Sequence, residues 1–479
     1  MKKLLLLSFC LISFFGKAQI TIVEDVYDKE NKPVDVNYLK NTHEIVVFKG
    51  KKMGGLIAAS QVNNIYSYDL EGKKSVIAEN EKLYTCAYST SGNTLRVYDI
   101  SKGVFKSKEK YFIQNKFTDL YVVDQTYPFS RFFPYTDNLT DKFTLKVKNQ
   151  KKKEFSDFEK DDFILTATDI ITRDQKTYTI EKPSISRLKG DNLIEAKEKL
   201  GLNYKLNNDE SFSLITKSIS KDYSKMTMYR SNYSTNDGKL QSDIAFQINL
   251  DNKTLIYSNN GGGFIGTNGN NRAFFDDDLS INNFITDYSN GDVYIYGLYS
   301  DKISELNKEA NPKGYYVFKF DKNGVIKWKS INSIVEKKIN DNYNMLAVQT
   351  DLSIINNQLC FYAFVNTNAE FLSYAIIDKD SGNQTKSNNI VFHEKQTVGG
   401  MGGNFLYSSL EYEDIKELNN KRFNVKGIIS YDLNPKLADY VKSVTNKKNI
   451  LFSTLFTDIG MLLIETDNDK YYKVTYFKD

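Results

Sequence analysis

Histidine occurs only twice, at His43 and His393. A Ser-His-Asp triad needs one histidine held between an acid and a nucleophile, and a zinc centre needs several His or Cys ligands. Two histidines so far apart carry the signature of neither, and they read as ordinary surface or partly buried residues. Asp276-Asp277-Asp278 offers the oxygen ligands that calcium takes. It lacks the alternating Asp-x-Asp-x-Asp-Gly spacing that turns them onto one ion, so it reads as a solvated acidic turn. Lys151-Lys152-Lys153 is followed closely by Glu154, Asp157, Glu159, Asp161 and Asp162, a self-neutralised loop rather than a basic patch. A pair of acids for glycoside hydrolysis is defined by its separation in space, and 60 Asp and Glu residues give no basis for choosing two. No catalytic residue, metal or cofactor is assigned from the sequence.

The residues best suited to binding are glycines and aromatics. Three stretches are glycine-rich: Met53-Gly-Gly-Leu56, Asn259 to Asn271 with Gly261, Gly262 and Gly263, and Val398 to Asn404 with Gly399 and Gly400. Glycine lets a ligand approach main-chain N–H groups closely, and it also fits where strands crowd together. None of the three joins a strand to a helix with a phosphate-binding lysine, so a nucleotide loop is not indicated. The segment Tyr127-Pro-Phe-Ser-Arg-Phe-Phe-Pro-Tyr135 sets Phe129, Phe132 and Phe133 beside two prolines. Prolines disfavour a central strand, which leaves an apolar loop that covers a sheet edge or meets a partner.

Lys2 and Lys3, the apolar run Leu4 to Phe15 and the small residues Gly16 and Ala18 read as a secretory signal peptide, with cleavage expected before Gln19. Its removal leaves 61 basic against 60 acidic residues, which gives no electrostatic reason to bind nucleic acid. No later stretch has the length and apolarity of a membrane-spanning helix, so the mature chain is expected in the periplasm or outside the cell. It keeps Cys86 and Cys360, each in an apolar strand-like run, and these read as buried thiols rather than a disulfide.

Positioning these residues falls to a repeated unit: an apolar-aromatic strand, a polar turn with Asp and often Gly, and a second strand. The clearest copy runs from Gly314 to Trp328 and turns at Asp321-Lys-Asn-Gly324. Looser copies turn at Asp69-Leu-Glu-Gly72, Asp99 to Gly103, Thr172 to Gln175, Asp251 to Lys253, Asp378 to Gly382, Asp432-Leu-Asn-Pro435 and Asp467 to Lys470. The turns at 321, 378 and 432 stand 57 and 54 residues apart. Strands such as Val293 to Tyr296 and Phe361 to Phe364 are apolar throughout, as in sheets covered on both faces. Dividing residues 19–479 by about 55 to 65 residues per unit gives an all-β, single-domain β-propeller of about seven blades, within six to eight. The lone strand from Ile20 to Tyr27 would complete the last blade and close the ring. Region 117–210 fits least well. It is read as a blade with a helical insertion near 185–205, in which Asn192 caps a helix bearing Leu193 and Leu200. A second short helix is expected between Ser300 and Ala310.

The Asp-x-x-Gly-x-x-x-Trp pattern of Asp321, Gly324 and Trp328 resembles the repeat of PQQ-type and WD40-like propellers. The Lys-, Asn-, Tyr- and Ile-rich composition and the Gly-Lys-Ala-Gln processing site resemble exported proteins of bacteria that use type IX secretion and gliding machinery. The resemblance implies a non-enzymatic envelope protein that binds an outer-membrane or secretion component. The alternative is a hydrolase or binding module that holds a glycan in the central funnel.

Overall fold

The computed structural model describes residues 19–28, 30–39, 42–53, 59–88, 94–99, 108–113, 116–117, 142–148, 163–181, 187, 193, 203–206, 211–256, 258–259, 279–280, 283–287, 289–301, 309–310, 312–334, 343–344, 348–365, 371–391, 408–409, 422–444, 450–467 and 471–478. It is mostly β, and its sheets are built from antiparallel meanders. Among the described residues the strands form six sheets of three or more strands and one of two; they are described here as segments I to VII, called units, of which I and II are parts of one eight-stranded sheet. Unit I is Lys32–Leu39, Glu44–Met53, Ala59–Tyr68 and Lys74–Ala78. Unit II is Leu83–Tyr88, Thr94–Asp99, Lys108–Ile113 and Lys116–Phe117, joined to unit I by a short pairing of Gln61 and Val62 with Tyr84 and Leu83. Unit III comprises Phe143–Lys148, Phe163–Asp169 and Gln175–Ile180. Unit IV comprises Asn203–Leu206, Phe212–Ile219, Lys225–Tyr233 and Leu240–Asn249.

In unit V the first-strand position is shared by Thr254–Ile256 and Asn283–Asp287, which both pair with Asp292–Ser300; Gly314–Phe320 and Ile326–Ser333 follow. Unit VI is Val348–Ile355, Gln358–Val365, Phe371–Asp378 and Gln384–Val391. Unit VII is Ile450–Phe456, Met461–Asp467 and Tyr471–Phe477, and its fourth strand is the N-terminal Gln19–Val26.

Middle strands are buried on both faces. All seven residues of Gly314–Phe320 are buried, as are eight of the nine in Asp292–Ser300. Last strands such as Lys74–Ala78 of unit I and Gln175–Ile180 of unit III are exposed along most of their length. The sheets therefore stack face to face, and their aromatic strands fill the space between them. Met228 and Phe246 of unit IV meet Val293 and Phe318 of unit V. Tyr296 and Val317 of unit V meet Leu359 and Phe361 of unit VI, and Tyr362 and Tyr374 of unit VI meet Phe452 and Leu463 of unit VII.

The aspartate turns join third to fourth strands in units I, V and VI, and the second to the third described strand in unit III. In each, the aspartate carboxylate accepts two backbone N–H bonds. Asp321 Oδ1 takes those of Asn323 and Val325, both at 3.0 Å, and Asp378 Oδ1 takes those of Asp380 and Ser381 at 3.2 and 2.7 Å. Asp69 and Asp169 do the same. The glycines of these turns and of the Ser234–Lys239 turn in unit IV have a second role, because each lies against the last described strand of the preceding unit. Gly72 faces Ile22, Gly238 faces Tyr178, Gly324 faces Ala245 and Gly382 faces Trp328. A methyl group at Gly382 would stand 2.6 Å from the Trp328 ring, at a φ of +76° that glycine alone adopts freely. The spacing from Asp321 to Trp328 thus has a physical reason. Asp321 closes the turn, Gly324 seats it on unit IV, and Trp328 receives the turn of unit VI.

The turn expected at Asp432-Leu-Asn-Pro435 is a correction: Asp432 and Leu433 end helix α1 (Val425–Leu433), Pro435 begins helix α2 (Pro435–Ser443), and Asn434 caps both between them. The Asn424 side chain accepts from Gly427 N at 2.6 Å and the Asn434 side chain from Leu437 N at 3.1 Å, with Pro435 in the first turn of α2. Asn and Pro serve helix starts as well as turns, and here the capping role won. The 54-residue interval is therefore not a hairpin spacing. Of the helix expected between Ser300 and Ala310, Ser300 ends a strand and Glu309–Ala310 pairs with Tyr343–Asn344, while residues 302–308 lie outside the described residues. Of the insertion near 185–205, Leu193 forms an antiparallel bridge with Ser220, and most of the remainder lies outside the described residues.

Candidate binding surface at the first-strand edges

The first strands of units V, VI and VII lie side by side: Asn283–Asp287, Val348–Ile355 and Ile450–Phe456. Two glycine-rich stretches are rooted on these edges. Ser258–Asn259 pairs antiparallel with Leu279–Ser280, and Asn259 pairs in parallel with Gln349 of unit VI. The chain between them, which holds Gly261, Gly262, Gly263 and Asp276 to Asp278, thus leaves and returns at the junction of units V and VI. This excursion interrupts the first strand of unit V. Ser408–Ser409, which follow Gly399 and Gly400, pair with Arg422–Phe423, and these pair in parallel with Leu451 and Phe452 of unit VII. The third stretch, Met53 to Leu56, joins the second and third strands of unit I instead. The glycines themselves, with Phe129, Phe132, Phe133, His393 and Lys151 to Lys153, lie outside the described residues.

Beside these roots sits a polar cluster that sequence reasoning missed. Lys426, in the first turn of α1, places Nζ 3.1 Å from Asp351 Oδ2 and 3.3 Å from Ser353 Oγ. The Lys426 and Asp351 side chains are each 31% exposed, so the pair is open to solvent. Asp351 and Ser353 alternate along one face of the first strand of unit VI, opposite Tyr362 and Cys360. Burial, with the nearby Asp351 charge, pushes the phenols of Tyr296 and Tyr362 up, so both keep their protons and remain donors at neutral pH. The ion pair joins groups 75 residues apart, a proximity set by the fold that no local motif reports. The cluster is suited to polar recognition: a cation, a carboxylate and a hydroxyl within one reach, with tyrosines behind them.

Other ionisable groups are structural. At the junction of units V and VI, Lys379 Nζ lies 2.5 Å from Asp287 Oδ2 and Lys319 Nζ 3.1 Å from Asp292 Oδ2. Burial alone would raise the Asp287 carboxyl, but Lys379 and Ser289 hold it below the ordinary value. His43 is exposed, with Nδ1 2.6 Å from the Tyr38 hydroxyl, which in turn lies 3.0 Å from Asp458 Oδ1. Cys360 is a free, fully buried thiol, and burial pushes it well above the ordinary thiol range.

Comparison with protein families and with curated proteins gave no match. Among solved structures the chain is similar to the Dos1 propeller, at 7% identity and a TM-score of 0.36 over 95% of both chains. It is similar to prolyl oligopeptidase B from Galerina marginata, at 12% identity and a TM-score of 0.33 over 75% of this chain and 44% of that one. It is also similar to an oligogalacturonate lyase in complex with manganese, at 9% identity and a TM-score of 0.27 over 96% and 98% of the two chains.

Proposed function

We propose that the chain is a seven-bladed β-propeller closed by its N-terminal strand. In this reading it is an exported, non-enzymatic scaffold that binds a protein of the cell envelope through its first-strand edges. The blade reading is supported by the order of packing. Unit I packs on II through Phe48 and Leu95, and Arg173 of III lies over the Tyr111 ring of II at 5.7 Å. Unit III packs on IV through Leu165 and Phe212, and the series continues through V and VI to VII. Unit VII then packs on I through Val474 and Val47. A series of sheets in which the last meets the first is the arrangement of a ring.

The observation that carries the binding reading is the shared root of two glycine-rich stretches on adjacent first strands, beside Asp351, Ser353 and Lys426. In a propeller these edges line the centre, where a partner would meet backbone groups, amides and one ion pair. An outer-membrane component of a secretion or gliding apparatus is the partner that the compositional resemblance suggests. A glycan-acting enzyme would instead need two acids free for chemistry at these edges, and Asp351 is ion-paired with Lys426.

The test is crosslinking of the tagged full chain in its native envelope, followed by capture and mass spectrometry. A reproducible outer-membrane or secretion component, crosslinked at Lys426 or at lysines near the first-strand edges, is the expected result. No partner, with turnover of an oligosaccharide by the purified chain, would replace this reading with the glycan one.

A further inference from the structure

A strand at the edge of a sheet has one unpaired side, and every second N–H there faces away from the ladder. Four described strands at unit edges share one local device. In Gln19–Val26, the last strand of unit VII, Val26 N donates to Asp25 Oδ1 at 2.8 Å. In Lys32–Leu39, the first of unit I, Val36 N donates to Asp35 Oδ1 at 2.9 Å. In Val348–Ile355 and Gln384–Val391, the first and last of unit VI, Leu352 N donates to Asp351 Oδ1 and Asn389 N to Asn388 Oδ1, both at 2.9 Å. The far end of each side chain is fixed as well. Asp25 Oδ2 meets Lys49 Nζ at 2.7 Å, Asp35 Oδ2 accepts from Asn37 Nδ2 at 2.9 Å, and Asp351 Oδ2 meets Lys426 Nζ at 3.1 Å. Asn388 Nδ2 donates to Asp432 Oδ2 at 3.2 Å.

We propose that these four residues are edge guards: each fills the N–H that an added strand would need, and Asp25 and Asn388 thereby keep a second copy of this chain from pairing with the outer edges of units VII and VI. Folding stability does not account for the device. An outward N–H is well served by water, so exchanging water for the neighbouring carboxylate or amide gains little. An incoming strand, in contrast, must first break both bonds of the guard. The surroundings of the guards supply their reason. Val26 is 73% exposed, which sets an apolar group beside the guarded N–H of the closing strand, and such edges invite pairing. On the inner side a strand does add to unit VI at Gln349, where Asn259 pairs, and the guard at Asp351 stands two residues beyond.

The test removes one outer guard. Asn388→Val takes away the acceptor, while Ser387→Val puts the same apolar group on an exposed neighbour and leaves the guard in place. Both are first checked for the cooperative melt of the unaltered chain. In dilute solution the Asn389 amide should exchange about tenfold faster in Asn388→Val than in the unaltered chain or in Ser387→Val. Asp35→Val repeats this readout at the Val36 amide, in another unit. At rising concentration Asn388→Val should self-associate in sedimentation velocity, at least about tenfold more strongly than the other two chains. Amides that exchange equally with and without their guards would contradict the guard bond. A folded Asn388→Val that sediments like the unaltered chain would overturn the proposal, as would equal association by Ser387→Val.

Discussion

Two junctions of the molecule solve the same problem differently. Where unit V meets unit VI, two lysines and two aspartates are buried together. Lys319 Nζ and Trp328 Nε1 both donate to the Lys379 carbonyl at 3.1 Å, and Gly382 lies flat on Trp328. Where unit VII meets unit I, one buried lysine does most of this. Lys49 pairs with Asp25 at 2.7 Å and lies over the rings of Tyr472 and Tyr66, at 5.1 and 5.9 Å. Asp287 is 2% exposed but Asp25 is 41% exposed. The first junction is the more deeply buried of the two and holds two lysine–aspartate pairs. The second joins the two ends of the chain, is wetter at its carboxylate, and relies on aromatic faces and on the strand Gln19–Val26. Adjacent sheets of one fold are thus held at one junction by two lysine–aspartate pairs, and at the other by one half-solvated pair whose lysine also lies over two tyrosine rings.

The largest expected effect is at the chain-end junction. A chain that begins at residue 27 loses the fourth strand of unit VII and uncovers Leu462, Val474 and Tyr476. It should lose cooperative melting and become protease-sensitive throughout. A sharp melt near that of the intact chain would show that the N-terminal strand is dispensable. Next comes Asp287→Ala, which leaves Lys379 buried without its partner and should destabilise by about 3–5 kcal/mol in urea unfolding. Asp25→Ala also leaves a buried lysine, Lys49, without its carboxylate, but the loss should be smaller, about 2 kcal/mol, because Asp25 is partly solvated and Lys49 keeps the faces of Tyr472 and Tyr66. Equal losses would erase the distinction between the two junctions. Gly382→Ala forces a methyl toward Trp328 at positive φ and should destabilise by more than about 1 kcal/mol. Trp328→Ala should relieve part of that clash in a double-mutant cycle, and strict additivity would sink the contact.

The smallest effect is on acid stability. The carboxyls of Asp287, Asp321, Asp378 and Asp432 are all held below the ordinary value of 3.8. For Asp321 the largest cause is Lys327 and for Asp378 it is Ser381; for Asp432, Tyr374 and Asn388 overcome the effect of burial. A depressed folded-state value contributes stability that is complete above the unfolded value and is lost as pH falls through the folded one. Hydrogen-exchange protection factors, which correct for the intrinsic slowing of exchange in acid, should therefore fall in the turns of units V and VI as pH drops below about 4. A flat profile down to pH 2 would contradict these pairings.

Much of the architecture was legible because it is local. Aspartate and glycine at Asp69–Gly72, Asp321–Gly324 and Asp378–Gly382 mark hairpins whose hydrogen bonds close within a few residues. The strand pattern carries the same information, since a fully apolar run such as Tyr315 to Phe318 fits only a covered sheet. Asp432 misled because its tetrapeptide suits a turn. The deciding groups were Asn424 upstream and Asn434 as a second cap. The split first strand of unit V left no pattern, because its two halves stand on either side of a glycine-rich excursion. The Asp351–Lys426 pair and the seating of Gly382 on Trp328 join distant segments, and single-chain spacing does not encode such contacts.

The central claim is that a partner reads the first-strand edges of units V to VII. The direct measurement repeats the envelope capture with residues 260–278 replaced by a short Gly-Ser turn and, separately, with Lys426→Glu. Both variants must first melt cooperatively like the unaltered chain. The expected result is recovery of the same envelope protein by the unaltered chain, with loss of at least about tenfold of it in the turn-replaced variant and a smaller loss in Lys426→Glu. Undiminished recovery by both folded variants would contradict the claim and move the binding surface away from these edges.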